Sequence, residues 1–143
     1  MRTIIEKVLF LKSVALFSHI PGGSLAKVAE IAREADFAAG DVIIRQGETG
    51  DSLYIILEGR VRVTAGGREV ARLCEKECFG EMALLDSEPI SATVTAETDV
   101  SLLTIGQEDF YELSAERAEI SQGIITLLSR RLRNADKHIE DRK

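Results

Sequence analysis

The chain has 143 residues, which suits a single domain with a buried core and no need for disulfides or structural metal. Its net charge of −6 excludes a broad basic surface of the kind that binds nucleic acid through its phosphates. We therefore expect one domain over residues 1–143, with no direct contact to nucleic acid.

Apolar residues at helical spacing predict helices in the first part of the chain, residues 1–35. Ile4, Val8 and Leu11 fall on one face of a helix over residues 3–17. This apolar run is interrupted by charge and is far shorter than the roughly 20 residues that a membrane span requires. We therefore expect a packed helix here and no membrane span.

A second helix is predicted after the turn sequence HIPGG. Ser24 is a suitable N-cap, because its hydroxyl can accept a hydrogen bond from a free backbone N–H of the first helical turn. The helical pattern then continues through Val28 and Ile31 toward Ala35.

Between residues 36 and 105 the pattern changes to short β-type runs separated by turns. Glycines mark many of these turns, at Gly47, Gly50, Gly59, Gly66 and Gly67. Two further strands are predicted around a turn near Thr98 and Asp99. Many short strands with glycine turns indicate a sandwich or roll rather than a parallel sheet.

Helical spacing returns over residues 106–135, first as a short helix in GQEDFYELSAE and then as a longer one. One apolar stripe follows the longer helix, through Ile120, Ile124, Leu127, Leu128 and Leu132. Arginines near its C-terminal end complement the helix dipole. The period is lost from Asn134 onward, so we expect the helix to fray there.

The cysteines and histidines do not form a recognisable metal site. Cys74 and Cys78 lie four residues apart, but His19 and His138 stand near opposite ends of the chain. Two cysteines also do not make the disulfide framework of a secreted domain. We therefore expect reduced thiols, no metal and a cytoplasmic location.

The most informative stretch is FGEMALLDSEPISATV, residues 79–94. A short helical turn beginning near Gly80 leaves its first backbone N–H groups without partners inside the helix, and such groups form an anion site. Gly80 allows close approach to this site because it has no Cβ. An acidic loop then ends at Pro89, before a strand of small residues.

Together with GDVIIRQGETGDSLYIILEGRVRV, this stretch resembles the cyclic nucleotide-binding domain family. That family includes regulatory subunits of cyclic AMP-dependent kinases, cyclic nucleotide-gated channels and bacterial regulators of the catabolite activator type. The resemblance covers almost the whole chain. It implies a mainly β fold, a double-stranded β-helix or jelly roll with N-terminal and C-terminal helices, and a phosphate-binding cassette at residues 79–94.

The resemblance also implies a regulatory function, with cyclic AMP or cyclic GMP as the ligand and no cofactor. Glu81 is implied to accept a hydrogen bond from the ribose 2′-hydroxyl, and Ser91 to donate one to a phosphate oxygen. Met82 and Ala83 are implied to line the site beside Gly80 through backbone and apolar contacts.

Ile90 departs from the family pattern. The family carries an arginine at this position, nine residues after the glutamate, where it pairs with the cyclic phosphate. Losing one partner of a buried charge pair costs about 2 to 5 kcal/mol. We therefore expect the affinity for cyclic nucleotides to fall by about 30-fold to several thousand-fold.

A replacement cation is one open question. Five arginines lie in the strand region, at Arg45, Arg60, Arg62, Arg68 and Arg72. In one interpretation a guanidinium from a neighbouring strand reaches the pocket. In the other, these arginines are solvated residues on strand faces.

Two functions therefore remain open. One is a sensor domain with weakened ligand response, and the other is a ligand-silent module that binds another protein domain or forms a homodimer through the C-terminal helix. Enzyme activity is not expected, because no histidines cluster in the strands and no catalytic triad is evident. Residues after the long helix leave no room for a helix-turn-helix, so we expect no DNA-reading element.

Overall fold

The computed structural model describes residues 2–81 and 90–141, with side chains described as far as residue 135. The described chain forms two compact units. One unit comprises Ile31–Glu112, and the other combines Arg2–Glu30 with the segment that begins at Leu113.

The first unit is built on two four-stranded antiparallel sheets. Their strands are β1 Arg33–Phe37, β2 Val42–Ile44, β3 Ser52–Glu58, β4 Val61–Ala65, β5 Arg68–Leu73, β6 Cys78–Phe79, β7 Thr93–Ala96 and β8 Val100–Gly106. The order is β1-β8-β3-β6 in one sheet and β2-β7-β4-β5 in the other. The prediction of a mainly β, jelly-roll-like fold with flanking helices is confirmed.

The apolar core of this unit joins the two sheets. Its buried members come from both: Ile56, Phe79, Val100 and Leu102 from the first sheet, and Val61, Val94 and Ala96 from the second. In β7 the buried and half-buried residues alternate, as expected for a strand with one face in the core. Burial of this cluster is the main force that holds the sheets face to face.

The turn between β3 and β4 requires a glycine. Gly59 has a φ of +95°, and a Cβ on it would lie 2.4 Å from the carbonyl oxygen of Asp99. The backbone N–H of the next residue, Arg60, donates a hydrogen bond to the side-chain oxygen of Thr98 at 3.0 Å. Two turns distant in sequence are therefore packed directly against each other.

An extra residue interrupts the pairing of β4 with β5. Val63 pairs with Ala71 and Thr64 with Glu69, so Val70 has no opposite residue. Because successive residues of a strand alternate between faces, this bulge places Glu69 and Arg72 on the same face. The Arg72 Nε donates to the Glu69 carboxylate there at 3.0 Å.

The second unit is helical. Its elements include α1 Ile4–Lys12, a 3-10 turn at Ala15–Phe17 and α2 Gly22–Ile31. Two more helices follow the strands, α3 Gln107–Glu116 and α4 Ala118–Asp141. The described part of the chain contains no helix with both the length and the apolar character needed to cross a membrane.

The first helix is shorter than predicted. Thr3 caps α1, and Glu6 completes a capping box, but the helix ends at Lys12 rather than continuing to residue 17. The Ser13 hydroxyl donates to the carbonyl of Phe10 at 2.5 Å and so competes with continued helix. Of the predicted stripe, only Leu11 is fully buried.

The predicted N-cap role of Ser24 is wrong. α2 already begins at Gly22, and the N–H of Leu25 donates to the carbonyl of Pro21 at 2.9 Å. Ser24 is fully buried within the helix, and its hydroxyl donates to the Glu119 carboxylate. The Ser24 hydroxyl therefore binds a side chain that is distant in sequence, and not a backbone N–H of its own helix as an N-cap would.

Two predicted helix ends are also wrong. α2 ends at Ile31 instead of continuing toward Ala35, because Arg33–Phe37 pairs in unbroken register with β8. The last helix does not stop at Asn134 but continues to Asp141. That final stretch has no glycine or proline and includes good helix formers, so propensity sustains the helix without an apolar stripe. The short helix predicted in GQEDFYELSAE is confirmed as α3.

Candidate functional site

The first unit contains a cavity of about 160 Å³ between β2, the loop before β3 and the end of β6. One wall is apolar and comprises Ile43, Ile44 and Ile90. This wall is more extensive than sequence reasoning predicted, because it brings two residues of β2 beside a residue 46 positions later.

The rest of the cavity rim is polar. It is formed by the loop and the first strand residue that follows it, with Glu48, Thr49, Asp51 and Ser52 among the lining residues. The glycines of this loop were recognised in the sequence as turns, but nothing in their spacing indicated which surface they face. Sequence spacing alone therefore did not predict the cavity rim.

Ile90 is fixed in the wall by its backbone. Its N–H donates to the carbonyl of Glu48 at 2.9 Å, and its carbonyl accepts from the N–H of Gly47 at 2.8 Å. Both backbone groups of Ile90 are thus used within the protein. A ligand meets the half-buried aliphatic side of this residue rather than a free donor.

Gly80 borders the same cavity in a conformation that favours glycine. Its φ is +83°, and a Cβ would lie 2.6 Å from the carbonyl oxygen of Ser52. Beside it, the rings of Tyr54 and Phe79 stack with centroids 5.0 Å apart. The group that approaches Gly80 closely in the structure is the backbone of β3, whereas the sequence prediction concerned the anion site.

The other predicted site residues either lie outside the described lining of the cavity or are not described. Glu81 is half-buried next to Gly80, while Ser91 is exposed next to Ile90. Neither residue is among the described residues that line the cavity. Met82 and Ala83 lie outside the described residues.

Three of the five arginines considered as replacement cations are engaged in ion pairs on the second sheet. Arg60 and Arg72 approach the Glu97 carboxylate at 3.9 and 3.3 Å. Arg62 and Arg72 approach Glu69 at 3.5 and 3.0 Å. These pairs compensate acidic groups away from the cavity.

Arg45 and Arg68 are exposed, and neither they nor the paired arginines border the cavity. Among the described residues, the interpretation of the arginines as strand-face residues is therefore the one that the contacts favour.

The charged groups that do border the cavity are acidic. The described lining includes Glu48 and Asp51 and no lysine, arginine or histidine. Burial raises the pKa of the Tyr54 phenol, and the negative charge of Asp51 raises it further. The described lining therefore combines apolar residues with acidic ones.

The cysteines offer no competing site. The Cys74 thiol donates a hydrogen bond to the Glu77 carboxylate, and this bond is the main cause that raises the pKa of the thiol. A raised pKa keeps a thiol protonated and poorly nucleophilic. No group of three or more histidine, cysteine or acidic side chains within residues 2–81 and 90–135 is arranged to hold a metal ion.

Comparison with known proteins finds a family match that includes the residues lining the cavity. The family model described as cyclic nucleotide-binding domain matches residues 34–117. A cyclic nucleotide-gated potassium channel from Rhizobium etli is 42% identical over 120 residues, which cover 83% of this chain. The matched segment is only 34% of that channel, so the chain corresponds to one part of this longer relative.

Solved structures share the fold over nearly the full chain. The N-terminal domain of a transcriptional regulator from Streptomyces coelicolor superposes with a TM-score of 0.82 at 29% identity, covering 91% of this chain and 94% of that one. The regulatory domain of Toxoplasma gondii PKA with cAMP gives a TM-score of 0.76 at 29% identity, covering 92% of this chain and 50% of that one.

Proposed function

The chain belongs to the cyclic nucleotide-binding domain family, and on that premise we propose that it is a regulatory domain that binds cyclic AMP or cyclic GMP with weakened affinity. One observation carries the proposal: Ile90 stands in the cavity wall at the position where the family places its phosphate-binding arginine. We further propose that the domain is not an enzyme and acts in the cytoplasm.

The weakened affinity for cyclic nucleotides follows from the absence of a positive charge at position 90. A cyclic phosphate in this pocket meets a hydrocarbon side chain, and both backbone polar groups of Ile90 are already hydrogen-bonded to Gly47 and Glu48. The phosphate loses water without gaining the charge-assisted hydrogen bonds of a guanidinium. The cost is about 2 to 5 kcal/mol relative to a pocket that keeps the arginine.

The remaining site residues retain the family pattern. In this proposal Glu81 accepts a hydrogen bond from the ribose 2′-hydroxyl, and Ser91 donates one to a phosphate oxygen. Gly80 allows the chain to pass close to β3, with Met82 and Ala83 completing the ligand contacts.

A homodimer through α4 is the second part of the proposal. The stripe predicted on this helix divides into two faces, because Ile120 and Ile124 are buried whereas Leu128 and Leu132 are exposed. With Ile125, which is 63% exposed, Leu128 and Leu132 follow spacings of three and four residues. That spacing is the a and d pattern of a helix that pairs with a second helix.

A second copy of the chain fits this face better than a lipid surface does. In the same heptad register Arg130 and Arg133 take positions f and b, away from the apolar seam, and of the three arginines in this stretch only Arg131, at position g, lies on its border. A helix that lies on an anionic membrane instead has basic residues along the borders of its apolar face, and the chain carries a net charge of −6.

The test is calorimetric titration of cyclic AMP and cyclic GMP at low salt into the native protein, Ile90→Arg and Ile90→Gln. We expect weak binding to the native protein and a gain of about 30-fold or more in Ile90→Arg. The glutamine variant, which adds a polar group without charge, should gain far less.

Tight, micromolar binding by the native protein would refute the weakening. If neither the native protein nor Ile90→Arg binds, the cyclic nucleotide is removed as a ligand, and the ligand-silent interaction module becomes the function that the fold supports.

A further inference from the structure

The cavity differs from an anion site in more than the missing arginine. Its lining includes the apolar residues Ile43, Ile44 and Ile90 and the acidic residues Glu48 and Asp51. An anion that enters the cavity therefore meets acidic and hydrocarbon side chains, and no cation among the described lining residues.

The cations of the strand region do not offset this charge. Arg60, Arg62 and Arg72 lie within 3.0 to 3.9 Å of Glu69 or Glu97, on the second sheet. The effect of Asp51 on the neighbouring Tyr54 phenol has the sign expected of a negative potential at the cavity wall. These observations have one common consequence for any ligand, which is that negative charge on it is disfavoured.

Resting on the proposed function, we propose that this pocket prefers an uncharged ribonucleoside to the corresponding 3′,5′-cyclic monophosphate. The nucleoside keeps the base and the ribose, and so keeps the apolar contacts and the sugar hydroxyls. It lacks the phosphate, which is the one group that meets Ile90 and the two carboxylates without a cation. Ligand charge, rather than ligand shape, is then what separates this pocket from an arginine-bearing one.

The experiment compares matched ligand pairs, adenosine with cyclic AMP and guanosine with cyclic GMP, by calorimetric or NMR titration. The proteins are the native chain, Ile90→Arg and the double variant Glu48→Gln/Asp51→Asn. We expect the native protein to bind a nucleoside at least as tightly as its cyclic monophosphate. In Ile90→Arg the preference should reverse, with the cyclic nucleotide favoured by about tenfold or more.

Salt provides an independent readout. Repulsion between the ligand anion and the rim carboxylates is screened by added salt, so cyclic nucleotide binding to the native protein should strengthen as ionic strength rises. Nucleoside binding should not respond. In Glu48→Gln/Asp51→Asn, the cyclic nucleotide should bind several-fold more tightly than to the native protein and should lose this salt response.

Three other outcomes would contradict the nucleoside preference, and they differ in whether the proposed function also fails. If the native protein binds neither ligand while Ile90→Arg binds the cyclic nucleotide, the proposed function stands and the nucleoside preference is wrong. If the native protein prefers the cyclic nucleotide and loses it with added salt, a cation reaches the phosphate and the preference is also wrong. If no protein binds any of these ligands, both proposals fail together.

Discussion

The carbonyl oxygen of Ser52 occupies the space into which a side chain at Gly80 would project, 2.6 Å from the position of the absent Cβ. Gly80 also has a φ of +83°, so backbone conformation and steric contact both favour glycine there. The family motif at this point therefore has a structural basis within β3 and β6, in addition to any contact with a ligand.

Gly80→Ala should destabilise the fold by about 3 kcal/mol, since it combines left-handed strain with overpacking against a backbone atom. Chemical denaturation measures the loss. Gly40→Ala is the matched control, because Gly40 has a φ of +93° but no atom within 4 Å of its Cβ position. It should cost only the strain, about 1 to 2 kcal/mol, and equal losses in the two variants would contradict the steric argument.

Gly123→Ala should destabilise the helical unit although alanine is the better helix former. A Cβ at this position of α4 would lie 2.9 Å from the carbonyl oxygen of His19 and 2.8 Å from Ile20 Cγ1. Overpacking of about 1 to 3 kcal/mol exceeds the helix-propensity gain of about 1 kcal/mol. Thermal unfolding should show a lower Tm.

The comparison variant for this helix prediction is Gly23→Ala in α2. Gly23 has open space around its Cβ position and an ordinary φ, so the substitution should leave stability unchanged or raise it by up to about 1 kcal/mol. An increase in Tm for Gly123→Ala as well would show that α4 does not pack tightly on residues 19 and 20.

Leu128→Glu/Leu132→Glu should convert the proposed homodimer into a monomer. Charged side chains at two positions of the exposed seam place four like charges in one interface, whereas the side chains at Ile120 and Ile124 keep the helix packed in its own unit. Analytical ultracentrifugation over a dilution series measures the change. Arg133→Glu also adds negative charge to α4 but outside the seam, so it should remain dimeric.

A native protein that is monomeric at every concentration would refute this interface. Dissociation of Arg133→Glu to the same extent as the leucine variant would also refute the seam, because it would show a general effect of charge.

Alkaline pH should reveal the environment of Tyr54. The pKa of its phenol is raised above 10.0 in the folded protein, first by burial and then by Asp51. A group whose folded pKa exceeds its unfolded pKa contributes stability that is present below the unfolded pKa and is lost as pH rises through the folded value. Stability attributable to Tyr54 should therefore disappear above about pH 10.

Ultraviolet titration of tyrosinate in the native protein minus Tyr54→Phe isolates this group, since the chain has two tyrosines. Asp51→Asn should shift the Tyr54 transition to lower pH, while burial keeps part of the elevation. A Tyr54 transition unaffected by Asp51→Asn would mean that the carboxylate is screened from the phenol.

Local sequence predicted the elements that depend on local chemistry. The strands on either side of Thr98 and Asp99 and the short helix α3 occur where period and turn residues place them. Ser24 and the start of β1 were mispredicted because a distant carboxylate and a distant strand, respectively, determine their structure. Sequence spacing does not encode such partners, and tertiary contacts override the local preference.

The residues of the candidate site likewise fall into those that the sequence predicted and those that it did not. Gly80 and Ile90 were identified from the motif and do border one cavity. Ile43, Ile44 and Tyr54 were missed, because they reach the cavity through strand pairing rather than through neighbouring positions in the chain. The acidic rim was missed for the same reason, although it determines the sign of the charge that the cavity accepts.

The unpaired Val70 has a consequence for the protein's behaviour among other chains. β5 is an outer strand of its sheet, and outer strands offer unused N–H and C=O groups to any foreign strand that approaches. The bulge distorts this outer strand and leaves charged residues at Glu69 and Arg72 along it. Both features oppose edge-to-edge addition at β5, so we expect this border to be a poor template for aggregation when the domain is crowded or tethered beside other β-rich domains.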